Sequence, residues 1–274
     1  SYAEFVKEYQ LRDKTILYEA FGGRGMICNP YALFLYLLEK EEYQDYTHIW
    51  VLDDFEDNRK QIEKYEKYPN VRFVKYKSKE YCKDLATVKY LVNNVSFPSY
   101  FLKREGQVLI DTWHGTPLKN REFDIPYGIA GHHQQHYQFR MLRRYRYKNS
   151  YKMQNLYEGT ILEEGFPRND KLFENNRAEI IRKLQSYGVN AEADKKIILY
   201  APTWRGEQYS QPDTDLQDVY KLIQIIEDSI DTKEYQVLVK LHQIVYHYLK
   251  ENQVELGDAQ AKFIPATMDT NEIL

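Results

Sequence analysis

The residue of this sequence best placed for chemistry is a histidine that follows a short apolar run. The run Val108-Leu109-Ile110 is typical of a buried strand, and His114 and Gly115 come soon after it. In α/β enzymes such a strand ends at a crevice, where a glycine lets the backbone approach a ligand closely. The hydroxyl of Thr116 and the ammonium group of Lys119 can then bind an anion. This arrangement indicates phosphate chemistry.

A second histidine holds the same position after a later apolar run. His242 follows Val237-Leu238-Val239 and Lys240, so it also stands at the predicted end of a strand. Histidine changes its charge near neutral pH and therefore suits a general base or a phosphate contact. The alternatives without chemistry are a packed core histidine at position 114 and a solvated histidine at position 242.

Three other segments combine polar groups with turns. Gly22-Gly23-Arg24-Gly25 follows a predicted strand; it either cradles a phosphate or makes a plain tight turn, since it matches neither GxGxxG nor a Walker sequence. Thr203 and Arg205 can bind phosphate through a hydroxyl and a guanidinium fork, unless their segment only closes a loop. Arg168 contacts either the substrate or, in an interdomain salt bridge, the protein itself.

A run of basic and aromatic residues stands out in a chain whose formal net charge is −3. It can hold an anionic membrane surface or a polyanionic acceptor; the alternative is a solvated helix face. His132, His133 and His136 precede the run, but their spacing suits zinc poorly and no acidic ligand is close, so no metal site is predicted. The basic members of the run are Arg140, Arg143, Arg144, Arg146, Lys148 and Lys152.

Composition narrows the class of protein. The chain has 274 residues, 43% of them hydrophobic and 29% charged, which is typical of a soluble protein with room for two domain cores. Its slightly negative charge argues against nucleic acid as a partner. Two cysteines cannot form a disulfide framework, which favours reduced thiols in the cytoplasm. No apolar run reaches the ~20 residues that span a bilayer, so we expect any membrane contact to be peripheral.

Strand and helix signals alternate along the chain, which predicts an α/β fold with a parallel sheet. Residues 1–164 are expected to form the first domain and residues 165–274 the second. The second domain shows about three strands, too few for a doubly wound sheet, so we expect it to be incomplete. Strands are predicted over 15–18, 48–52, 71–74, 90–93, 108–111, 196–200, 236–240 and 261–264. Helices are predicted over 31–40, 58–67, 78–86, 177–187, 216–228 and 246–251, with a loop over 205–215.

Four segments, in order, resemble the CDP-glycerol glycerophosphotransferase family, the teichoic acid polymerases and primases. The most specific of them is the octapeptide TWHGTPLK from Thr112 to Lys119. The chain departs from the family at Gln243, where the family pattern has proline. The other matching segments are Ile16 to Gly23 with Cys28-Asn29-Pro30, Glu164 to Asp170, and Ile198 to Gly206 with Lys240-Leu241-His242.

The resemblance implies a fold, a reaction and roles for residues. The fold is two Rossmann-like domains facing across a cleft, the GT-B architecture, with the acceptor on the first domain and the CDP-alcohol on the second. In the reaction, a hydroxyl of a polyol-phosphate or lipid-linked acceptor attacks the β-phosphorus of CDP-glycerol or CDP-ribitol, and CMP leaves. His114 is then the base, and His242 contacts the diphosphate and leaving group. The residues expected to bind substrate are Gly22, Gly23, Asn29, Thr116, Lys119, Arg168, Thr203, Arg205 and Lys240.

Two other functions stay open from the sequence. A nucleotide-sugar glycosyltransferase of cell-surface polysaccharide synthesis shares the architecture and also uses a strand-end histidine as base. A non-enzymatic module that docks a polymer or a membrane through the basic run is the third hypothesis. Mg²⁺ is the one cofactor left open, because no carboxylate cluster is clear. The expected location is the cytoplasmic face of the cell membrane.

Overall fold

The computed structural model describes residues 1–115, 139–141, 160–174, 176–208, 211–213, 216–253 and 262–274. For 139–141, 205–208, 211–213 and 216 it describes the backbone alone. Residue contacts divide the chain into two compact units, Ser1–Lys171 and Leu172–Leu274. The segment that begins at Gly165, where the sequence suggested a boundary, therefore packs with the first unit as far as Lys171.

A parallel sheet of seven strands forms the centre of the first unit. Its strands are β1 Arg12–Glu19, β2 Thr47–Leu52, β3 Val71–Lys75, β4 Val88–Asn93, β5 Val108–Asp111, β6 Phe139–Met141 and β7 Thr160–Leu162. Their order is β3-β2-β1-β4-β5-β6-β7, and all six neighbouring pairs are parallel. The chain builds outward from β1 to β3 and then continues on the other side of β1, so the order reverses between β1 and β4. Doubly wound sheets bind ligands beyond the carboxyl ends of the strands at such a reversal.

Helices cover both faces of this sheet. They are α1 Tyr2–Glu8, α2 Cys28–Glu39, α3 Arg59–Tyr65 and α4 Lys79–Thr87, with 3₁₀ helices at Glu41–Tyr43 and Pro167–Phe173. Alternate residues of β1 face opposite sides, as expected for a strand. Leu17 packs with Phe5 of α1 and Leu85 of α4, whereas Tyr18 lies in a second cluster with Phe34 of α2. This burial on both faces explains the nearly continuous apolar run of the strand.

The second unit has a smaller framework. Its elements are α5 Arg177–Ser186, β8 Lys196–Tyr200, β9 Arg205–Gln208, β10 Gln211–Asp213, α6 Leu216–Asp228, β11 Tyr235–Val239 and α7 Gln243–Glu251, with a 3₁₀ helix at Thr270–Glu272. β8 and β11 pair in parallel, and β9 and β10 form an antiparallel pair. Val239 and Leu238, from the central strand β11, anchor separate apolar clusters of this unit.

The predicted strands of the first half and the helix over 216–228 are confirmed, but two predictions in the second unit are wrong. The loop expected over 205–215 contains β9 and β10, whose polar residues give no strand-like apolar alternation. The strand expected over 261–264 is a single bridge between Val239 and Phe263. Within the described ranges, none of the helices combines the length and the apolar character that crossing a membrane requires.

Candidate active site

His114 lies in a short loop, Thr112–Gly115, that we call the His114 loop. It leaves the carboxyl end of β5, next to β4 and close to the reversal of strand order. Thr112 extends the strand pairing, because its backbone N–H and its hydroxyl donate to Asn93 O at 2.8 and 3.0 Å. His114 itself is half-buried, and no described atom lies within 4 Å of a Cβ built on Gly115. The His114 loop therefore lies at the carboxyl edge of the sheet, where ligands bind in doubly wound folds.

Aromatic rings fix the surroundings of this imidazole. The Trp113 ring stacks on His114 with centroids 4.6 Å apart and planes 20° apart, and the Phe21 ring lies 5.6 Å away. Trp113 is buried, and the Phe21 N–H donates to Asn94 Oδ1 at 2.9 Å. The ring of His114 is thus bordered by side chains that are positioned by the carboxyl ends of three strands, β1, β4 and β5.

Unusual backbone conformations concentrate around the same ring. Phe21, Cys28 and Trp113 have φ angles of +49°, +64° and +52°, in the left-handed region that bulky residues seldom adopt. At Trp113 the N–H donates to Asp111 Oδ1 at 2.9 Å, which holds the tight turn after β5. Such conformations persist only where surrounding contacts enforce them, and they cluster at functional sites.

Two residues from distant parts of the chain bind the backbone of the His114 loop. Asn29, in the first turn of α2, is fully buried and donates from Nδ2 to Thr112 O at 3.2 Å and Trp113 O at 3.0 Å. Arg168 donates from Nη1 to His114 O at 2.9 Å, and its backbone N–H donates to Asn29 Oδ1 at 3.3 Å. The structure therefore brings together three of the residues that the sequence selected: His114, Asn29 and Arg168.

The glycine-rich loop after β1 is built by close approach of the backbone. Gly23 has a φ of +87°, and a Cβ at this position would lie 2.9 Å from Asp53 N. Its N–H donates to Ala20 O at 3.0 Å and its carbonyl accepts from Asp53 N at 2.8 Å. Gly22 has a φ of +71° and faces Tyr76 at ordinary contact distance. These contacts explain why both positions need glycine whether or not the loop also binds substrate.

A buried acid at the end of β1 was missed by the sequence analysis. Glu19 is fully buried, and Tyr81 donates to its Oε2 at 2.5 Å, while Oε1 has no hydrogen-bond partner in the described part of the chain. Burial raises the pKa of Glu19 to about 8, and the hydrogen bond from Tyr81 opposes this rise. A carboxylate that ends the apolar run Ile16-Leu17-Tyr18 was the available signal.

The second candidate histidine caps a helix. His242 is the N-cap of α7, and its Nδ1 accepts from Ile244 N at 3.3 Å. A ring nitrogen that accepts a hydrogen bond carries no proton, so the neutral ring carries its proton on Nε2. His242 is half-buried. The hydrogen bond from Ile244 therefore leaves Nε2 as the protonated nitrogen, which can donate to a ligand.

Lys240 lies inside the second unit. Its side chain is 7% exposed, and Nζ donates to Pro265 O at 2.7 Å. Burial lowers the pKa of Lys240 to about 8, and the nearby charge of Asp269 opposes this shift. The ammonium group thus fastens the segment around Pro265 to the carboxyl end of β11.

Comparison with known proteins decides the family. The sequence model of the CDP-glycerol:poly(glycerophosphate) glycerophosphotransferase family matches residues 1–274, the whole chain. The chain belongs to this family. Members of known name include a teichoic acid poly(glycerol phosphate) polymerase of Bacillus spizizenii, 31% identical over 254 residues, which are 85% of this chain and 60% of the relative. A teichoic acid glycerol-phosphate transferase of Staphylococcus aureus is 30% identical over 266 residues, with 92% of this chain and 66% of the relative covered.

Solved structures of the wall teichoic acid polymerase TagF share the fold of this glycerophosphotransferase family member. One, with a histidine replaced by alanine, has a TM-score of 0.68 at 25% identity over 96% of this chain and 64% of TagF. Another, with a histidine replaced by asparagine and soaked with CDPG, has a TM-score of 0.70 at 26% identity over 99% and 66%. The mixed α/β fold with a parallel sheet is therefore that of TagF, and this chain spans less than two thirds of that protein.

Other residues singled out in the sequence lie in the second unit, are described by their backbone alone, or fall outside the described ranges. Thr203 is exposed, and the neighbouring Trp204 packs against the apolar cluster of Val239 in the second unit. Arg205 begins β9 and Arg140 lies in β6, and only their backbones are described. Outside the described residues are Thr116, Lys119, His132, His133, His136, Arg143, Arg144, Arg146, Lys148 and Lys152. In the described part of this family member, no three His, Cys, Asp or Glu residues gather as a metal site would require.

Proposed function

We propose that this chain is part of an enzyme that transfers glycerol phosphate, or ribitol phosphate, from a CDP-alcohol to a teichoic acid or capsular polymer, with release of CMP. The observation that carries the proposal is the His114 loop, in which the histidine of the TWHGTPLK motif follows the carboxyl end of β5, close to the reversal of strand order. Family membership over the whole chain supports the choice of a CDP-alcohol as donor. The named relatives are a teichoic acid poly(glycerol phosphate) polymerase and a teichoic acid glycerol-phosphate transferase.

His114 acts as the general base in this proposal. Its imidazole takes the proton of the acceptor hydroxyl, and the hydroxyl oxygen forms a bond to the β-phosphorus of the CDP-alcohol. The bond between this phosphorus and the bridging oxygen breaks, and the electron pair leaves on the phosphate of CMP. His242 donates from Nε2 to a phosphate oxygen, which stabilises the charge that develops on the leaving group.

The remaining candidate residues are assigned by the chemistry of their groups. Amides, hydroxyls and cations bind phosphate oxygens, whereas buried side chains with satisfied polar atoms shape the loops. We therefore propose that the buried Asn29 and Lys240 act on the loops that carry the two histidines, and that Arg168 does so through its hydrogen bond to the His114 carbonyl. The residues proposed to contact substrate are Gly22, Gly23, Thr116, Lys119, Thr203 and Arg205.

The proposal includes the GT-B architecture, with the acceptor bound by the first domain and the CDP-alcohol by the second. It also includes a peripheral position on the cytoplasmic face of the membrane, where the acceptor polymer is anchored. Arg140, Arg143, Arg144 and Arg146 would hold the anionic surface or the polymer, because clustered arginines bind phosphate groups. These parts rest on the family membership and on the basic run of the sequence.

The donor can be tested directly with the full-length protein. The protein is incubated with a polyol-phosphate acceptor and either CDP-glycerol, CDP-ribitol or a UDP-sugar, and the released nucleotide is identified by chromatography. We expect CMP from a CDP-alcohol, with His114→Ala as the matched inactive control. Release of UDP alone would reject the proposal in favour of a glycosyltransferase. Full CMP release by His114→Ala would keep the donor but reject the assignment of the base.

A further inference from the structure

The backbone of the His114 loop is held through three consecutive carbonyl groups. Asn29 Nδ2 donates to the carbonyls of Thr112 and Trp113, and Arg168 Nη1 donates to the carbonyl of His114. None of the three carbonyls belongs to a regular strand or helix. Both side chains come from elements far away in sequence, the start of α2 and the 3₁₀ helix Pro167–Phe173. The path of the loop, and with it the direction of the His114 side chain, therefore depends on these two donors.

The polar atoms of Asn29 are fully used inside the protein. Its two amide hydrogens go to two carbonyls of the loop, and its Oδ1 accepts from the backbone N–H of Arg168. The residue is 0% exposed, so water cannot replace these hydrogen bonds. No polar atom of Asn29 is left for a substrate. Its chemistry is directed at the His114 loop.

Arg168 ties the loop to the beginning of α2. Its Nη1 donates to His114 O and to Cys28 Sγ, both at 2.9 Å, and its guanidinium lies 5.6 Å from the ring centroid of the buried Phe166. A planar guanidinium presents several donors in a fixed fork, which a lysine ammonium cannot reproduce. One side chain thus links three elements: α2, the His114 loop and the 3₁₀ helix that follows Phe166.

The conformation of the loop needs such support. Trp113 has a φ of +52°, and Cys28, which precedes Asn29, has a φ of +64°. Left-handed conformations of bulky residues persist only when neighbouring contacts over-determine them. If the donors of Asn29 are removed, the buried carbonyls of Thr112 and Trp113 lose these two hydrogen bonds, and the turn at Trp113 can relax toward an ordinary conformation. The imidazole stacked on Trp113 would then move with it.

We infer that Asn29 and Arg168 are positioning residues, which hold the imidazole of His114 in place through its own backbone rather than by touching substrate. The inference rests on the proposed function only in taking His114 as the base. A base that is displaced by about 1 Å can cost a factor of about 100 in rate, while binding of the donor elsewhere in the site is unchanged. A positioning role therefore predicts a fall in kcat with little change in KM.

The experiment uses the full-length protein and the variants Asn29→Asp, Arg168→Lys and Asn70→Asp. Asn29→Asp keeps the size and the acceptor of the side chain but removes both donors. Asn70→Asp is the matched control, because Asn70 Nδ2 also donates to two backbone carbonyls, those of Gln44 and Tyr46. Asn70 directly precedes β3 and therefore lies at the amino ends of the strands, away from the His114 loop. Two readouts are taken: the NMR signal of the His114 ring without substrate, assigned by its loss in His114→Ala, and steady-state kinetics with CDP-glycerol.

We expect Asn29→Asp and Arg168→Lys to shift the His114 ring signal and to lower kcat about 10- to 100-fold, with KM for CDP-glycerol changed less than about threefold. Asn70→Asp should change neither readout. An unmoved ring signal in folded Asn29→Asp, or a rise in KM at constant kcat, would overturn the inference. If Asn29→Asp does not fold, the half-buried Arg168 decides the question through Arg168→Lys. If wild type uses neither CDP-glycerol nor CDP-ribitol, the proposed function fails, but the ring signal still tests the positioning.

Discussion

The two histidine loops follow similar apolar strands but are supported in different ways. The His114 loop is held by Asn29, 83 residues away from Thr112, and by Arg168, 54 residues away from His114. His242 instead accepts from Ile244, two residues further along the chain. One loop therefore depends on the tertiary packing of its unit, and the other is fixed by the first turn of its own helix. Strand-end histidines that look alike in sequence can differ greatly in how easily they are displaced.

Another histidine shows the limit of sequence patterns. His48 lies in β2, is fully buried, and its Nδ1 shares a hydrogen bond with the Tyr18 hydroxyl at 3.0 Å. Burial lowers the pKa of His48. It is a packed core histidine, which was the alternative considered for His114. His114, in contrast, is half-buried and lies in a loop beyond the carboxyl end of β5.

The largest expected effect separates the two histidines by their chemistry. We predict that His114→Ala lowers kcat by a factor of about 10²–10⁴, as expected for loss of a general base. His242→Ala should cost less, about 10²-fold, because it removes one donor to developing charge. Steady-state rates of CMP release measure both, and thermal unfolding confirms that the variants are folded. A larger loss for His242→Ala would reverse the assignment of roles.

The next prediction concerns the glycines on the first unit. Gly23→Ala should destabilise the protein by about 3 kcal/mol, because its Cβ would meet Asp53 N at 2.9 Å at a φ of +87°. Gly115→Ala meets no described atom and should change stability by less than about 0.5 kcal/mol. Its rate of CMP release should nevertheless fall if substrate approaches the His114 loop closely. Urea unfolding and kinetics test both; wild-type activity in Gly115→Ala would contradict a close approach.

Two buried ionisable groups, Glu19 and Lys240, should make the stability of the protein depend on pH in opposite directions. The folded pKa of Glu19, about 8, lies above its ordinary value of 4.5, so folding favours the protonated form. Its contribution is full below pH 4.5 and is lost as the pH rises to 8, at up to about 1.4 kcal/mol per pH unit. The pKa of Lys240 is lowered from 10.5 to about 8, so folding favours its neutral form. Its contribution to stability is therefore lost as the pH falls from 10.5 to 8.

Glu19→Gln should remove the first of these slopes and raise the unfolding temperature more at pH 8.5 than at pH 5. The exposed Glu63→Gln is the control and should leave the pH profile unchanged. A profile of Glu19→Gln that runs parallel to wild type from pH 5 to 8.5 would show that Glu19 titrates normally in the fold.

The smallest expected effect tests the local support of His242. Ile244→Pro removes the backbone N–H that His242 Nδ1 accepts, and proline is tolerated in the first turn of a helix. Ile244→Ala is the control, because it also removes the isoleucine side chain but keeps the backbone N–H. We predict that stability differs by only about 0.5 kcal/mol between the two variants. Nitrogen NMR of the ring should show a non-protonated Nδ1 in Ile244→Ala and a mixture of tautomers in Ile244→Pro.

The sequence by itself determined the parallel α/β fold, most strand positions and the placement of His114 and His242 at strand ends. Apolar periodicity and turn residues are local signals, so they locate each element without knowledge of its neighbours. The octapeptide around His114 also identified the family before any geometry was considered. The same local signals failed at β9 and β10, whose polar residues pair as antiparallel strands.

Only the tertiary structure decided what surrounds His114. The hydrogen bonds of Asn29 and Arg168 to the loop, and the burial of Glu19 beneath Tyr81, join residues that no sequence spacing relates. They arise because the order β3-β2-β1-β4-β5 brings the carboxyl ends of β1 and β5 to either side of β4. Strand order is set by packing across the whole sheet, so the local sequence of each strand does not determine it.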